Sequence, residues 1–284
     1  MKDLKDKVAV VTGGASGLGL AMARRFAAEG MKLVLADVEE EALRKVETEF
    51  RKAGVAVIGI RTDVSRGQDV ERLAEKTLAT FGGVHVLCNN AGVGPGGILW
   101  ENTAADWEWV LGVNLWGVIH GVRVFVPILL RQDTECHVIN TASVAGLLSV
   151  PNMGVYCVSK HAVVTLTECL YHDLAQRGSK IGVSLLCPAY VSTGIIDSER
   201  NRPAALRNAQ RTRTPEELAR EETMRKAVSS GKISADQVAQ MVLGAVRENR
   251  FYVLTHPKIK NAIRTRMEDI LLERAPTDTS RPTR

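Results

Sequence analysis

Three side chains that could together move a proton lie in the second half of the sequence. Tyr156 and Lys160 are four residues apart, which places them on one face of a helix, and Ser143 lies thirteen residues before the tyrosine. A free tyrosine has a pKa near ~10, and an adjacent ammonium group lowers it by stabilising the phenolate. A serine hydroxyl beside the phenol could hold a carbonyl oxygen. The trio indicates acid–base chemistry at a carbonyl or alcohol; a solvated helix face is the alternative.

A glycine-rich turn near the N-terminus could bind cofactor phosphates. Residues 8–11 form an apolar, β-branched run typical of a buried strand, and helical composition follows at 20–28. Between them lie Gly13, Gly17 and Gly19, which let the backbone approach a ligand closely. The free N–H groups at the start of the helix would bind a pyrophosphate. The order strand, glycines, helix predicts a dinucleotide site; a turn without a ligand is the alternative.

Asp37 ends the second predicted strand, residues 32–36. It stands about twenty residues beyond the glycine turn, where a carboxylate can accept hydrogen bonds from the adenosine ribose hydroxyls. A carboxylate there would repel a 2′-phosphate, and Ser16 occupies the place that a phosphate-binding cation could take. Both features predict NAD rather than NADP. The alternative is an ordinary capping aspartate before a helix at 38–50.

With these motifs the chain resembles the short-chain dehydrogenase/reductase family over nearly all of residues 5 to 255. The resemblance implies a catalytic tetrad of Asn114, Ser143, Tyr156 and Lys160, in which Asn114 helps to hold a water of the proton relay. Ala189 stands where the family usually has glycine. The cofactor contacts that the resemblance implies are Gly13, Ser16, Gly17, Leu18, Gly19, Asp37, Asp63, Val64, Asn90, Ala91, Gly92, Tyr156, Lys160, Pro188, Val191 and Thr193.

Strand and helix patterns alternate along the chain, which predicts an α/β fold with a doubly wound parallel sheet of Rossmann type. The expected strand order is 3-2-1-4-5-6-7, with the cofactor beyond strands one and four. Residues 1–255 would form one dinucleotide-binding catalytic domain. Within it, the polar segment 195–230 is expected to be a lid over the substrate or, alternatively, a solvated helix. Residues 256–284 would form a C-terminal helix and a disordered tail.

The composition excludes several other classes of protein. The chain has 284 residues, 45% of them apolar, which suits one large domain. The sequence has no apolar run of eighteen residues, so no membrane span is predicted. No signal peptide precedes the first strand, so a cytoplasmic location is expected. The basic surplus of the C-terminal third alternates with acids, which does not favour nucleic-acid binding. The five cysteines lack a CxxC pair, and no metal site is expected.

We therefore expect hydride transfer between NAD and a small molecule, a secondary alcohol or ketone with apolar or aromatic substituents. One alternative is an NADPH-dependent 3-oxoacyl reductase, which Asp37 opposes; another is a nucleotide-sensing protein without turnover, which the tetrad opposes. Apolar excess on the predicted helices 104–130 and 155–176 predicts a homodimer or, preferably, a homotetramer. The residues expected near the substrate are Gly94, Pro95, Leu148, Asn152, Met153 and Ile195.

Overall fold

Seven parallel strands form one sheet in the computed structural model, which describes residues 1–94, 96–209 and 214–279. In chain order the strands are β1 (Val8–Thr12), β2 (Lys32–Asp37), β3 (Val57–Arg61), β4 (Val86–Asn89), β5 (Cys136–Thr141), β6 (Ile181–Cys187) and β7 (Tyr252–Leu254). Their order across the sheet is 3-2-1-4-5-6-7, which confirms the predicted topology. Successive strands are added toward one edge of the sheet from β1 to β3 and toward the other edge from β4 to β7. The loops at the carboxyl ends of β1 and β4 leave a crevice at this switch point.

Helices cover both faces of the sheet. They are α1 (Gly17–Ala28), α2 (Glu40–Lys52), α3 (Gly67–Phe81), α4 (Ala104–Leu111), α5 (Gly117–Gln132), α6 (Gly154–Gln176), α7 (Pro215–Ser229), α8 (Ala235–Glu248) and α9 (Ile259–Leu271). Alternate residues of β1 serve opposite faces, as the pleat requires. Ala9 and Val11 pack with α1, α2 and α8, whereas Val8 and Val10 pack with α3, α5 and α6. Burial on both sides explains why the strands are apolar along their whole length.

The long helix predicted at 104–130 is continuous in the structure but is not uniform. A π-helical turn, Gly112–Trp116, separates α4 from α5. By length and hydropathy alone, Ala104–Gln132 is the one segment among the described residues that could cross a membrane. Its residues Phe125 and Leu129 are fully buried against the sheet. This packing is typical of the core helix of a globular domain.

The segment expected to be a lid consists of two unlike parts. Two short 3-10 turns, Gly194–Asn201 and Ala204–Leu206, lie against the body of the protein, whereas none of the fifteen residues of α7 is buried. After β7 the chain forms α9, and the Thr277 N–H then donates to Asp269. Part of the predicted tail, residues 280–284, lies outside the described residues, as do 210–213 of the predicted lid.

Candidate active site

A cavity of about 1230 Å³ opens at the carboxyl ends of β1, β4, β5 and β6. Ligands of open parallel sheets bind at this edge, beside the point where the strand order reverses. The glycine turn and Asp37 line one end of the cavity, and Ser143, Tyr156 and Lys160 line its middle. The two motifs that the sequence suggested are thus brought together in one space.

The backbone of the glycine turn has a conformation and a closeness of approach that side chains would obstruct. Gly13 and Gly17 have φ values of +64° and +52°, which favour glycine. A Cβ at Gly19 would lie 2.0 Å from the Gly13 carbonyl oxygen, so even alanine does not fit there. Ser16 and Leu18 line the cavity beside these glycines at the start of α1. Free N–H groups at a helix start and a backbone open to close approach suit a pyrophosphate.

Asp37 is a buried carboxylate held in a fixed orientation. Its Oδ2 accepts the Ala15 N–H and its Oδ1 accepts the Glu39 N–H, both at 3.0 Å. Burial raises the pKa of Asp37, and these two hydrogen bonds act in the opposite direction. The fixed carboxylate faces the cavity with acceptor capacity that suits ribose hydroxyls.

The structure adds residues at this end that the sequence did not single out. Glu39 also lines the cavity, and its Oε1 accepts hydrogen bonds from Arg200 (2.6 Å) and Asn201 (2.9 Å). The hydrogen bond from Arg200 is the main reason why the pKa of Glu39 is lowered. Arg200 is therefore already paired with an acid. The only signal in the sequence was a second carboxylate two residues after Asp37.

The loop after β4 is tied to the end of β1. The Thr12 hydroxyl accepts the N–H groups of Asn90 and Ala91, at 2.8 and 3.0 Å, and donates to the Cys88 carbonyl. Three other predicted cofactor contacts line the same cavity, namely Asp63 and Val64 after β3 and Gly92 after β4. These bonds hold the loop rigidly beside the glycine turn.

Lys160 is 2% exposed, and its Nζ donates to the Thr141 carbonyl at 3.0 Å and lies 5.7 Å from the centre of the Tyr156 ring. Burial lowers the pKa of Lys160 to about 8. Burial also raises the pKa of Tyr156 to about 12, although a hydrogen bond with the Ser143 hydroxyl lowers it. The expected net lowering of the tyrosine pKa is thus outweighed by desolvation. A further positive charge close to the phenol would bring its pKa nearer to neutrality.

Asn114 lies in the π-helical turn between α4 and α5 and is completely buried. Its side chain accepts the Val93 N–H at 2.8 Å and donates to the Val93 carbonyl and the Ser159 hydroxyl. A Cβ at Gly92 would lie 3.4 Å from Asn114 Oδ1 and 3.6 Å from Lys160 Nζ, so the two side chains flank this glycine. A π turn disrupts the regular helical hydrogen bonds and often marks a functional position. No pattern in the sequence predicted this turn.

The loop after β6 forms the wall opposite the glycine turn. The Pro188 carbonyl accepts the Val144 N–H at 2.9 Å and the Ser143 hydroxyl at 3.3 Å. A Cβ at Gly17 would lie 3.4 Å from Thr193, so the two sides of the cavity approach each other here. Val191, the third contact predicted in this loop, is buried and also lines the cavity.

The end of the cavity beyond Tyr156 is mostly apolar. Four of the residues expected near a substrate line it, namely Gly94, Leu148, Met153 and Ile195. Asn152 does not; it is exposed, and its carbonyl accepts the Gly97 N–H. Pro95 lies outside the described residues. Sequence reasoning did not assign to the site a further set of lining residues, which are Trp109, Val150, Tyr190, Ile196, Arg202, Leu206, Met224, Val228, Ile259 and Thr279.

Comparison with known proteins relates this arrangement to a family. The family model for short chain dehydrogenase matches residues 7–204. The chain is 34% identical to a CLA biosynthesis dehydrogenase/reductase of Lactiplantibacillus plantarum, covering 97% of each chain. It is 31% identical to a C alpha-dehydrogenase of a Sphingobium species, covering 98% of this chain and 90% of the relative. A short chain dehydrogenase/reductase from Burkholderia phymatum, solved with NAD, is 56% identical, with a TM-score of 0.96 and complete coverage of both chains.

Proposed function

The chain belongs to the short-chain dehydrogenase family of oxidoreductases, and from this premise we propose that it transfers a hydride between NAD and a secondary alcohol or ketone with apolar substituents. The observation that supports this most is that the glycine turn, the half-buried Ser143 and the buried Tyr156 and Lys160 line one cavity. A cofactor site and a proton-transfer group in one space are what such a reaction requires.

The choice of NAD rests on the two carboxylates at the adenosine end. Asp37 is fixed by two backbone N–H groups, and Glu39 lies beside it, so a 2′-phosphate would meet negative charge. Of the two arginines that line the cavity near these acids, Arg61 and Arg200, the second is engaged by Glu39. The solved relative at 56% identity carries NAD, which is consistent with the same preference here.

The tetrad residues have distinct roles in this proposal. When bound, NAD supplies the hydride acceptor and, in its oxidised form, a positive charge close to the reacting alcohol. Tyr156 accepts the hydroxyl proton of the alcohol at its phenol oxygen, and the Ser143 hydroxyl orients the same substrate oxygen. The ammonium group of Lys160 stabilises the phenolate. Asn114 and Lys160 both approach Gly92, and the π turn that carries Asn114 can hold a relay water near the ammonium group.

The apolar lining of the far end favours a substrate without charge. The side chains of Leu148, Val150, Met153 and Ile195 offer no ionic partner, and Arg202, the cation in this wall, is paired with Asp106 at 2.7 Å. Two relatives are named a CLA biosynthesis dehydrogenase/reductase and a C alpha-dehydrogenase, which agrees with a dehydrogenase or reductase reaction here.

We further propose that the protein is cytoplasmic and works as a homodimer or homotetramer. Trp116, Val158 and Tyr171 are each more than 40% exposed on the helices from α4 to α6. Large apolar side chains grouped on helix surfaces commonly mark interfaces, and closed symmetry is usual for such oligomers. Light scattering coupled to gel filtration measures the mass; a monomer at micromolar concentration contradicts this proposal.

A cofactor-resolved screen tests the proposed function. We would measure kcat/KM for NAD⁺ and NADP⁺ with a panel of secondary alcohols, and for NADH and NADPH with the matching ketones. We expect turnover of apolar substrates with NAD and at least ~10-fold lower kcat/KM with NADP, equivalent to ~1.4 kcal/mol. Asp37→Asn should reduce this preference, whereas the control Asp236→Asn, an exposed acid on α8, should not. Preference for NADP and for 3-oxoacyl thioesters would instead favour an acyl reductase.

A further inference from the structure

Arg202 is a buried arginine in the segment that covers the cavity. Its side chain is 3% exposed and lines the cavity. Its Nη2 lies 2.7 Å from Asp106 Oδ1 in an ion pair that lacks the alignment of a hydrogen bond, and its Nε donates to the Leu206 carbonyl at 2.7 Å. The guanidinium also stacks over Trp109, 5.0 Å from the ring centre. A buried guanidinium with this many partners is a fixed structural point.

The acid that receives Arg202 is itself held in place. Asp106 lies in the first turn of α4, where its Oδ2 accepts the Thr103 N–H at 2.7 Å and its Oδ1 accepts Asn208 Nδ2 at 2.9 Å. Burial would raise the pKa of Asp106, but the hydrogen bonds from Thr103 and Asn208 and the guanidinium of Arg202 together lower it. Asp106 therefore stays ionised at neutral pH. Arg202 contacts both Asp106 and Trp109 of α4, and these contacts join α4 to the covering segment.

Two further contacts fix the same covering segment, residues 194–206. The Ser198 hydroxyl accepts the Gly94 N–H at 3.1 Å, and Arg200 pairs with Glu39 at 2.6 Å. The segment is thus held by buried contacts in the middle and at the substrate end, and by a partly exposed ion pair at the cofactor end. In contrast, α7 has no buried residue, and its Arg225, 44% exposed, reaches Asp197 across the surface. Exposed ion pairs of this kind contribute little to the free energy of unfolding, whereas removing one partner of a buried pair lowers it strongly.

We propose that Arg202 is a positioning residue that fixes residues 194–206 as a rigid wall of the substrate end and thereby determines which face of a ketone is reduced. Ile195 and Leu206 of this wall line the cavity, and Leu206 packs with Trp109 of α4. Arg202 binds no substrate charge, because Asp106 and Glu199 already neutralise it. A rigid wall limits the size of the ketone substituent on its side, so the larger substituent must take the other side. This proposal rests on the proposed function only for its consequence in selectivity.

Amide hydrogen exchange tests whether Arg202 fixes residues 194–206, and it does not depend on turnover. In the wild type, the amides of residues 194–206 should exchange at least ~10-fold more slowly than those of α7. Arg202→Gln should remove this protection, and Arg225→Gln, the matched exposed control, should leave it intact. The double variant Asp106→Asn/Arg202→Gln leaves no unpaired buried charge, so it controls for unfolding caused by an isolated Asp106 carboxylate. It should restore part of the protection. Equal exchange in the two regions of the wild type overturns the proposal.

Stereoselectivity tests the consequence. With NADH and a ketone that carries one methyl and one bulky apolar substituent, Arg202→Gln should lower the enantiomeric ratio of the alcohol by at least ~3-fold, while Arg225→Gln keeps it. A loosened segment with an unchanged enantiomeric ratio shows that the wall does not select the face and overturns the proposal. If the wild type reduces no ketone, the proposed function fails, and the exchange experiment still decides whether Arg202 pins the segment.

Discussion

The floor of the cavity and its cover differ in how firmly their side chains are held. The floor is formed by loops at the carboxyl ends of β1, β4, β5 and β6, where Asn114 and Lys160 are buried and hydrogen-bonded to neighbouring strands and loops. The cover consists of residues 194–206, α7 and α9. Apart from Asp269, no residue of α7 or α9 is buried, and Leu271 is 79% exposed. Chemistry that needs fixed geometry is thus placed on the sheet, whereas α7 and α9, the outer part of the cover, have little buried support.

Loss of the Tyr156 hydroxyl group should produce the largest fall in kcat, and the substitution lies in the floor alone. Tyr156→Phe removes the proton-transfer group without changing the packing, so kcat should fall ~10²–10⁴-fold while NADH still binds. Tyr171→Phe, on an exposed position of the same helix, is the control. Steady-state kinetics and a fluorescence titration with NADH measure both quantities. Near-normal turnover in Tyr156→Phe would assign proton transfer to another group.

An added methyl group in the glycine turn should weaken cofactor binding. In Gly19→Ala the new Cβ would lie 2.0 Å from the Gly13 carbonyl oxygen, so the turn must move. NADH affinity should fall at least ~10-fold, with a loss of ~1–3 kcal/mol in the free energy of unfolding. Gly244→Ala is the matched control, since its Cβ on α8 meets no atom closer than 3.4 Å. Equal NADH affinity in the two variants would mean that the cofactor binds elsewhere.

Removal of the buried ammonium should stabilise the fold while it destroys activity. Burial lowers the pKa of Lys160 to about 8 from an ordinary value of 10.5, so the folded protein carries a penalty for the charge. This penalty is fully present below pH 8 and disappears as the pH rises through the unfolded-state value. Lys160→Met should therefore raise the free energy of unfolding by ~1–3 kcal/mol at pH 7, and by less at pH 10. Chemical denaturation at both pH values measures the difference; a gain that grows with pH contradicts the assignment.

The smallest effect is expected in the cover. Arg225→Gln breaks an ion pair between α7 and Asp197 in which both side chains are more than 40% exposed. Such pairs contribute ~0–1 kcal/mol, so thermal stability and kcat/KM should stay close to those of the wild type. A large loss in this variant would show that α7 is held as firmly as the floor, and the contrast between the two regions would no longer hold.

Much of the floor could be predicted from the sequence, because its features depend on residues that are close in the chain. A strand, three glycines and a helix start within a dozen residues predict the cradle, and a four-residue spacing places Tyr156 and Lys160 on one helix face. The alternation of apolar runs predicted the order of the strands, since right-handed crossovers leave few topologies. The roles of the individual site residues remain predictions.

The tertiary structure alone decided the cover and the electrostatics. Glu39 meets Arg200 across 161 residues of sequence, and Arg202 meets Asp106 from a segment far along the chain. No local pattern marks such pairs, because their attraction depends on where the folded chain brings each charge. The pKa values of Tyr156 and Lys160 likewise follow from burial, which outweighs the effect of their spacing. The sequence by itself determined the local elements and the chemistry they carry, and the packing of distant segments determined how that chemistry is enclosed, because burial and long-range charge pairing exist only in the folded chain.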